Sequence, residues 1–321
     1  MMDTAFVNAL ATSAQKSLIP KSKFITMIDA ATPEDAFSVL LSGGFGNGAE
    51  VSGAGDYDKL VIAEREKLHE FLRAYAPADL LTYACLGYDF FNADAAARKV
   101  LLKADGITYS PDGTFSPEIL EKYYGGEKAE IPAYLKSTAD NLSEACKKGK
   151  SGKELSLIAL KGKYSAMLKK VRNRTIRALL RTEIDCKNVS AYFRSASREE
   201  AENQYIPGGT LKKEKLAAIF NKDAQKTRGA FLFTPYYDMA DACLKAKENG
   251  EPLTKLEKIA DDYPLKKMAG KKYEITGVTP MLVYYLYKNA ELKNVRTVMS
   301  GKLASAPASL VTARLREVYG E

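Results

Sequence analysis

The sequence predicts an all-helical protein made of three related lobes of about one hundred residues each. Three observations predict this fold class. An acid-x-x-Asn motif occurs three times, a second motif is repeated at the same offset, and helix start signals are separated by glycine-rich segments. Since internal repeats of this length typify repeat architectures, we expect an all-α fold with three pseudo-symmetric lobes.

The first repeated motif places an acidic residue three positions before an asparagine. Its copies are Asp89 and Asn92, Asp185 and Asn188, and Glu291 and Asn294. In each copy, nonpolar residues stand two positions before, one after and five after the asparagine. Offsets of three and seven lie on one face of a helix, so each copy predicts one amphipathic helix.

The second motif runs from Pro111 to Phe115 and matches the segment from Pro207 to Leu211. Pro111 and Pro207 are 96 residues apart, the same offset that separates Asn92 from Asn188. The third asparagine follows 106 residues after the second, and its downstream segment is predicted to be reduced to residues 306–308. The predicted lobes are therefore residues 1–118, 119–216 and 217–321.

Helix start signals recur along the chain. Thr32-Pro33 and Ser116-Pro117 are typical of an N-cap followed by proline at the first helical position. The run from Thr254 to Glu257 fits a capping box. Two strand-like runs, 230–237 and 273–278, have no partners at a regular spacing, so no sheet is predicted.

The repeated polar residues have a structural interpretation and a ligand-binding one. Asp89 and Asp185 suit an N-cap that accepts a hydrogen bond from the backbone N–H three residues on, and Glu291 is a poorer cap. The asparagine amide can tie its helix to a neighbouring backbone segment. A buried polar tie in each lobe is favoured over three ligand sites, because buried polar groups are normally hydrogen-bonded within the protein.

Composition argues against most enzyme classes. The single histidine, His69, lies in a charged run and is expected on a helix surface, which leaves no Ser-His-Asp centre. The four cysteines form no CxxC pair, so buried, reduced thiols are expected and a zinc site is not. No pair of carboxylates with acid–base spacing stands out. The residues by themselves therefore indicate no catalytic constellation and no metal site.

Nucleotide binding and membrane insertion are also not expected. The glycine run 43–48 and the Gly149-Lys150-Ser151 segment both lack the spacing of phosphate-binding loops. No apolar run approaches the roughly 20 residues of a membrane-spanning helix, and the sequence shows no signal peptide. A cytoplasmic protein is therefore expected.

The net charge of +8 is compatible with an acidic protein, a membrane surface or nucleic acid. The segment from Lys169 to Arg181 alternates basic and apolar residues and predicts an amphipathic basic helix. Two alternative functions follow. One is an all-helical scaffold that binds nucleic acid or another acidic partner through this segment, and the other is a helical enzyme of unknown type.

The C-terminal stretch from Ala290 to Leu303 resembles the C-terminal signature of the family of V/A-type ATPase C subunits, which includes the d subunit of eukaryotic V-ATPases. The closing run 313–319 fits the same family, and the Asp89–Asn92 and Asp185–Asn188 segments match its internal repeats. The resemblance covers essentially the whole chain. One position and one short segment depart from the pattern: Ser300 stands where the family often has a basic residue, and residues 93–95 are atypical.

The resemblance implies a funnel of three helical lobes with a mechanical role. One face would sit on the proteolipid ring in the membrane, and the central hollow would receive the central shaft formed by the D and F subunits. The chain would then be a non-catalytic coupling component of the rotary ATPase for proton or sodium transport. The resemblance also implies that the chain has no catalytic residue and no cofactor. It would act as a monomer within a larger complex, peripheral to the cytoplasmic face of the membrane, and would bind no nucleic acid.

Overall fold

The computed structural model describes residues 4–220, 222–271 and 274–319, and its regular structure in these ranges is helical throughout. Besides one 3-10 turn at Ala54–Asp56, the described residues form these sixteen α-helices: α1 Thr4–Gln15, α2 Lys21–Asp29, α3 Pro33–Ser42, α4 Tyr57–Tyr75, α5 Ala78–Leu101, α6 Pro117–Tyr124, α7 Ala133–Lys147, α8 Gly152–Lys170, α9 Arg174–Arg194, α10 Arg198–Gln204, α11 Lys213–Ile219, α12 Ala224–Phe231, α13 Tyr237–Glu248, α14 Leu253–Ala269, α15 Thr279–Leu303 and α16 Ala308–Arg314.

The predicted all-α class is confirmed. The described helices form two compact units, one comprising Met1–Ala76 and Phe231–Glu321 and the other Pro77–Ala230. The three-lobe arrangement and its boundaries stay a prediction. Within the described ranges, none of the helices is both long enough and apolar enough to cross a bilayer.

In the unit formed by residues 77–230, α5 is the central element and packs against α6, α7 and α8. Its run of small residues from Ala93 to Ala97 is buried, which lets neighbouring helices approach closely. The second repeat helix, α9, packs against α8 and α10. Two of the three repeated motifs therefore lie in this unit.

In the other unit, α15 is the central element and contacts α1, α2, α3, α4, α14 and α16. Val295, Val298 and Met299 of α15 join Phe24 and Val311 in one buried apolar cluster. The N-terminal helices are thereby packed on the helix that carries the third motif. Burial of this shared apolar surface is the main source of stability in this unit.

The structure confirms some helix starts and corrects others. Thr32 caps α3 with a reciprocal bond to Asp35, and Pro33 is the first helical residue. Ser116 occupies the N-cap of α6 as predicted, although its side chain makes no capping bond. The Thr254 capping box is wrong, because α14 already begins at Leu253 after the extended Pro252.

The predicted basic helix from Lys169 to Arg181 is also wrong as a single element. The chain leaves α8 at Lys170 and re-enters a helix at Arg174, with Val171 in extended conformation. Of the strand-like runs, 230–237 consists of helix ends and a turn. The run 273–278 begins outside the described residues, and its described part forms no strand.

Candidate functional site

The first repeated motif lies in the middle of α5, where Asn92 pairs with one backbone residue in the following loop. The N–H of Ser110 donates to Oδ1 of Asn92 at 2.8 Å, and Nδ2 of Asn92 donates to the carbonyl of Ser110 at 3.0 Å. Asp89, one turn earlier, accepts from the backbone and hydroxyl of Thr114, both at 2.6 Å, and from the N–H of Phe115 at 2.9 Å. We call this set of bonds the first clamp.

The second motif forms the same arrangement in α9. Asn188 exchanges two hydrogen bonds with the backbone of Ile206, both at 2.8 Å. Asp185 accepts from the N–H of Thr210 at 2.8 Å, from its hydroxyl at 2.5 Å, and from the N–H of Leu211 at 3.0 Å. Asp185 and Asn188 are fully buried. This is the second clamp.

The two motifs that repeat 96 residues apart are therefore the two halves of one interaction. The acid-x-x-Asn half lies on a helix, and the Gly-Thr half lies on the loop that the helix fastens. The glycine is required because the carboxylate approaches the loop backbone closely. A Cβ atom on Gly209 would lie 2.0 Å from Oδ1 of Asp185, and one on Gly113 would lie 2.9 Å from Oδ1 of Asp89.

The predicted N-cap role of Asp89 and Asp185 is wrong. Asp89 lies inside α5 and Asp185 lies inside α9, so neither begins a helix. Their carboxylates instead satisfy loop N–H and hydroxyl groups that are about 25 residues further along the chain. A buried carboxylate needs such donors, because an unpaired charge in the interior is costly.

The third motif lies in α15, and its asparagine keeps the same bonding pattern. The N–H of Arg316 donates to Oδ1 of Asn294 at 2.7 Å, and Nδ2 donates back to the carbonyl of Arg316 at 3.2 Å. The reduced downstream segment predicted at residues 306–308 does not supply this partner. Pro307 is the N-cap of α16, and this short helix lies between Asn294 and its partner.

The bonds made by Asn294 and Glu291 form the third clamp, and its carboxylate has different partners from those of the first two. Glu291 accepts from the N–H of Ile19 at 2.6 Å and from the ammonium of Lys288. Lys288 also lies 2.7 Å from Glu64, which in turn accepts from the N–H of Gly46 at 3.0 Å. All three charged side chains are at most 7% exposed. One ammonium is thus shared by two buried carboxylates.

The charges in this cluster shift one another's titration. Burial opposes ionisation of Glu64, but the Lys288 ammonium and the Gly46 N–H, with a smaller contribution from Lys67, together outweigh it and hold the pKa of Glu64 below its usual range. Burial also opposes the charge on Lys288, yet its two carboxylate neighbours raise the pKa of Lys288. The pKa of Glu291 is raised, because burial exceeds the compensation that a shared ammonium provides.

Sequence reasoning missed Lys288 and Glu64. The available signal was a lysine that directly ends the apolar run 281–287 and stands three residues before Glu291 on a helix. His69 was predicted on a helix surface, and that is wrong, because its side chain is buried at 1% exposure within α4. The four cysteines are buried free thiols.

The two glycine-containing segments considered for phosphate binding have other roles. In the run 43–48, Gly44, Gly46, Asn47 and Gly48 all have positive φ angles, and the N–H of Gly46 points to Glu64. Gly149 has a φ of 67° and ends α7, whereas Ser151 caps α8 by pairing with Glu154. Both segments serve turns and helix ends.

A surface cleft of about 330 Å³ lies between the end of α15 and α16. Ser300 and Thr297 contribute hydroxyl groups to it, Leu310 and Val311 contribute apolar surface, and Arg314 is its one charged group. This set contains no acid–base pair. Across residues 4–220, 222–271 and 274–319, no three His, Cys, Asp or Glu side chains come together to hold a metal ion.

Comparison with known proteins gives one family and one curated relative. The family model described as ATP synthase (C/AC39) subunit matches residues 7–314. The C subunit of the V-type sodium ATPase of Enterococcus hirae is 22% identical over 334 aligned positions, which cover 98% of this chain and 98% of that protein. The family match includes both halves of the first two clamps and the helical half of the third.

Proposed function

This chain belongs to the family of ATP synthase (C/AC39) subunits, and on that basis we propose that it couples the central shaft of a V/A-type rotary ATPase to the membrane proteolipid ring. The observation that carries the proposal is the family match over residues 7–314, together with a curated relative aligned over nearly its full length. The role is mechanical. Nucleotide hydrolysis or synthesis and ion transfer would take place in other subunits.

The internal construction of the chain supports a mechanical role. A joint that transmits torque must resist bending, so its long helices need attachments away from their ends. α5, α9 and α15 are 24, 21 and 25 residues long. Each is fastened near its middle by a buried asparagine bonded to both polar groups of one backbone residue. Buried, fully satisfied polar contacts of this kind add rigidity as well as stability.

The proposed partners are the shaft subunits, D and F, on one side and the proteolipid ring on the other. The transported ion would be a proton or sodium, and the relative's name mentions sodium. The proposed location is the cytoplasmic face of the membrane, where the chain would be held by its partners as one copy in a larger complex.

Co-purification tests this proposal. The chain, carrying an affinity tag, is expressed in its native host, and detergent-solubilised membranes are passed over the affinity resin. Mass spectrometry of the eluate should find the proteolipid and the shaft subunits in fixed ratio to the chain. The matched control is the tag fused to an unrelated soluble protein. An eluate that contains neither shaft nor proteolipid would overturn the proposed function.

A further inference from the structure

Positive charge is concentrated in one segment of the chain. From Leu155 to Thr182 the sequence contains no acidic residue and eight basic ones: Lys161, Lys163, Lys169, Lys170, Arg172, Arg174, Arg177 and Arg181. The formal net charge of the entire chain is also +8. The part of this segment from Lys169 to Arg181, which we call the α8–α9 elbow, contains the end of α8, the connection, and the first turns of α9.

The elbow is held rigidly. Asp79, in the first turn of α5, accepts from the backbone N–H groups of Arg172 at 2.9 Å and Asn173 at 2.5 Å. The side chain of Asn173 caps α9 by accepting from the N–H groups of its second and third residues at 3.0 and 3.2 Å. Arg177 donates to the carbonyls of Leu168 and Val171, which satisfies the open end of α8. The elbow therefore presents its side chains from a fixed backbone.

In the described part of the chain, the basic side chains of the elbow have no acidic partner. Lys169, Arg172, Arg174 and Arg181 are exposed, and within the described ranges none of them lies within ion-pair distance of a carboxylate. Elsewhere, exposed lysines commonly pair with a carboxylate one turn away, as Lys148 does with Glu144 at 2.6 Å. The elbow thus keeps its positive charge available to a partner.

The positive charges of Arg172 and Arg174 lie at a helix N-terminus, where they are electrostatically unfavourable. A helix N-terminus carries partial positive charge and is stabilised by acidic residues. α9 has no acid in its first turn, Arg174 is its first residue, and Arg172 lies two positions earlier. The exposed charges of Arg172 and Arg174 therefore do not stabilise the start of α9, which favours an anionic group outside the chain as their partner.

We propose that the α8–α9 elbow is a docking surface for carboxylates carried on a helix of a partner protein. Arg174, Ala178 and Arg181 are exposed at spacings of four and three and so share one face of α9. Because Ala178 is small, a partner helix can approach α9 closely at the point between the two guanidinium groups. Each guanidinium can then bind a carboxylate through two parallel hydrogen bonds. The identity of the partner rests on the proposed function: it is the central shaft.

Other anionic partners fit this surface less well. Membrane-surface helices combine basic residues with exposed apolar anchors, and no large hydrophobic side chain between Leu102 and Leu232 is exposed in the described ranges. Single-stranded nucleic acid is bound by exposed aromatic side chains beside the basic groups. Tyr164 is buried, and Tyr134, which lies under Lys170 at 3.8 Å, is bonded to Asp89.

Charge reversal tests the proposal. Arg174→Glu with Arg181→Glu is compared with Lys128→Glu with Lys215→Glu, which makes the same change in net charge at exposed lysines of the same unit. Binding to a purified complex of the two shaft subunits, D and F, is measured by calorimetry at about 50 and 200 mM salt. The elbow variant should bind at least about tenfold more weakly than the control at low salt, with a smaller dependence on salt.

Thermal melting separates this effect from misfolding. Glutamate at position 174 suits the helix N-terminus, so the elbow variant should keep or exceed the wild-type melting temperature while it loses shaft binding. Equal shaft binding by elbow and control variants would overturn the docking surface and leave the proposed function standing. Failure of the wild-type chain to bind the shaft would overturn both.

Duplex DNA and vesicles that contain phosphatidylserine are titrated in parallel. If the wild-type chain binds either one more tightly than the shaft, and the elbow variant loses that binding, the elbow recognises phosphate and the proposed protein partner is wrong.

Discussion

At the scale of single residues, the three clamp asparagines provide hydrogen-bond partners for backbone groups outside the helices. A side-chain amide carries a donor and an acceptor in one plane, as a peptide group does. In each clamp the amide bonds to the N–H and the carbonyl of the same residue: Ser110, Ile206 or Arg316. In each case the partner residue lies in a non-helical segment, so its N–H and carbonyl have no partners within a helix.

Replacing Asn92, Asn188 or Asn294 by alanine should therefore destabilise the protein by about 1–3 kcal/mol each, because an N–H and a carbonyl that are wholly or partly buried lose their partners. Chemical denaturation measures the loss. Asn141→Ala, on the exposed surface of α7, is the matched control and should change stability little. Variants that keep wild-type stability but fail to assemble would show that the asparagines are contact residues instead.

A second prediction ranks the stability losses that follow when the clamp glycines are replaced by alanine. Gly209→Ala should cost more stability than Gly113→Ala, since the added methyl would lie 2.0 Å from the Asp185 carboxylate in the first case and 2.9 Å from that of Asp89 in the second. Gly229→Ala is the control: its site in α12 is open, so alanine should be neutral or stabilise the helix by up to about 1 kcal/mol. Urea midpoints in the reverse order would contradict the clamp geometry.

Cysteine reactivity gives a third prediction. All four thiols are buried, and burial raises the pKa of Cys243 to about 12 and also raises the pKa of Cys146. The thiolate is the reactive form, so the folded protein at pH 8 should react very slowly with a thiol reagent such as DTNB. Four equivalents should react once denaturant is added. Rapid labelling of Cys243 in the folded state would show that its surroundings open readily.

The clamp side chains could be identified from the sequence, but their bonding partners could not. The acid-x-x-Asn pattern identified all six clamp side chains, because an exact offset shared by two motifs is visible without a structure. The N-cap role assigned to the aspartates failed, since their true partners lie in a loop about 25 residues away. A local pattern cannot reveal which distant loop a side chain reaches.

At the scale of elements, α15 differs from α5 and α9 in how its carboxylate is neutralised. The Gly-Thr half of the first two clamps begins three residues after the asparagine's partner, whereas the corresponding position in the third copy, 319, is a tyrosine. Glu291 instead pairs with Lys288 on its own helix and with the N–H of Ile19, before α2. The third repeat thus attaches the N-terminal helices to α15.

Lys288→Met should be strongly destabilising, by about 3–5 kcal/mol, because it leaves Glu64 and Glu291 buried without their shared cation. Chemical denaturation again measures the loss. Lys293→Met, an exposed position on the same helix, is the control and should have little effect.

The pH dependence of the Lys288→Met variant provides an independent check. Without the ammonium, burial should raise the pKa of both carboxyl groups above their unfolded values. A raised carboxyl pKa contributes stability at low pH that is lost as pH rises through the folded value. The variant's deficit relative to wild type should therefore be smaller at pH 5 than at pH 8. An equal deficit at both pH values would show that the carboxylates are not buried together.

Element boundaries were predictable where side chains cap helices locally. Thr32-Pro33 and Ser116-Pro117 were located correctly from sequence. The break between α8 and α9 was not predicted, because Val171-Arg172-Asn173 contains neither glycine nor proline. That break depends on Asp79, which bonds the connection from more than ninety positions away.

At the scale of the whole molecule, the sequence repeats do not coincide with the compact units. The first two clamps lie in the unit formed by residues 77–230, and the third lies in the unit that combines both ends of the chain. Contacts between α15 and the helices α1 to α4 create this second unit, and no repeat pattern reveals such long-range packing. The all-helical class was predictable from helical periodicity, whereas the grouping of helices was not.

The coupling role is tested most directly by comparing ATP hydrolysis with ion transport in the same membranes. Inverted vesicles are prepared from cells that lack the chain, and purified wild-type chain is added back; bovine serum albumin replaces it in the control. ATP-driven ion uptake should be absent without the chain and restored by it, while ATP hydrolysis by the catalytic head persists in both. Ion uptake that proceeds at the wild-type rate without the chain would contradict the coupling role.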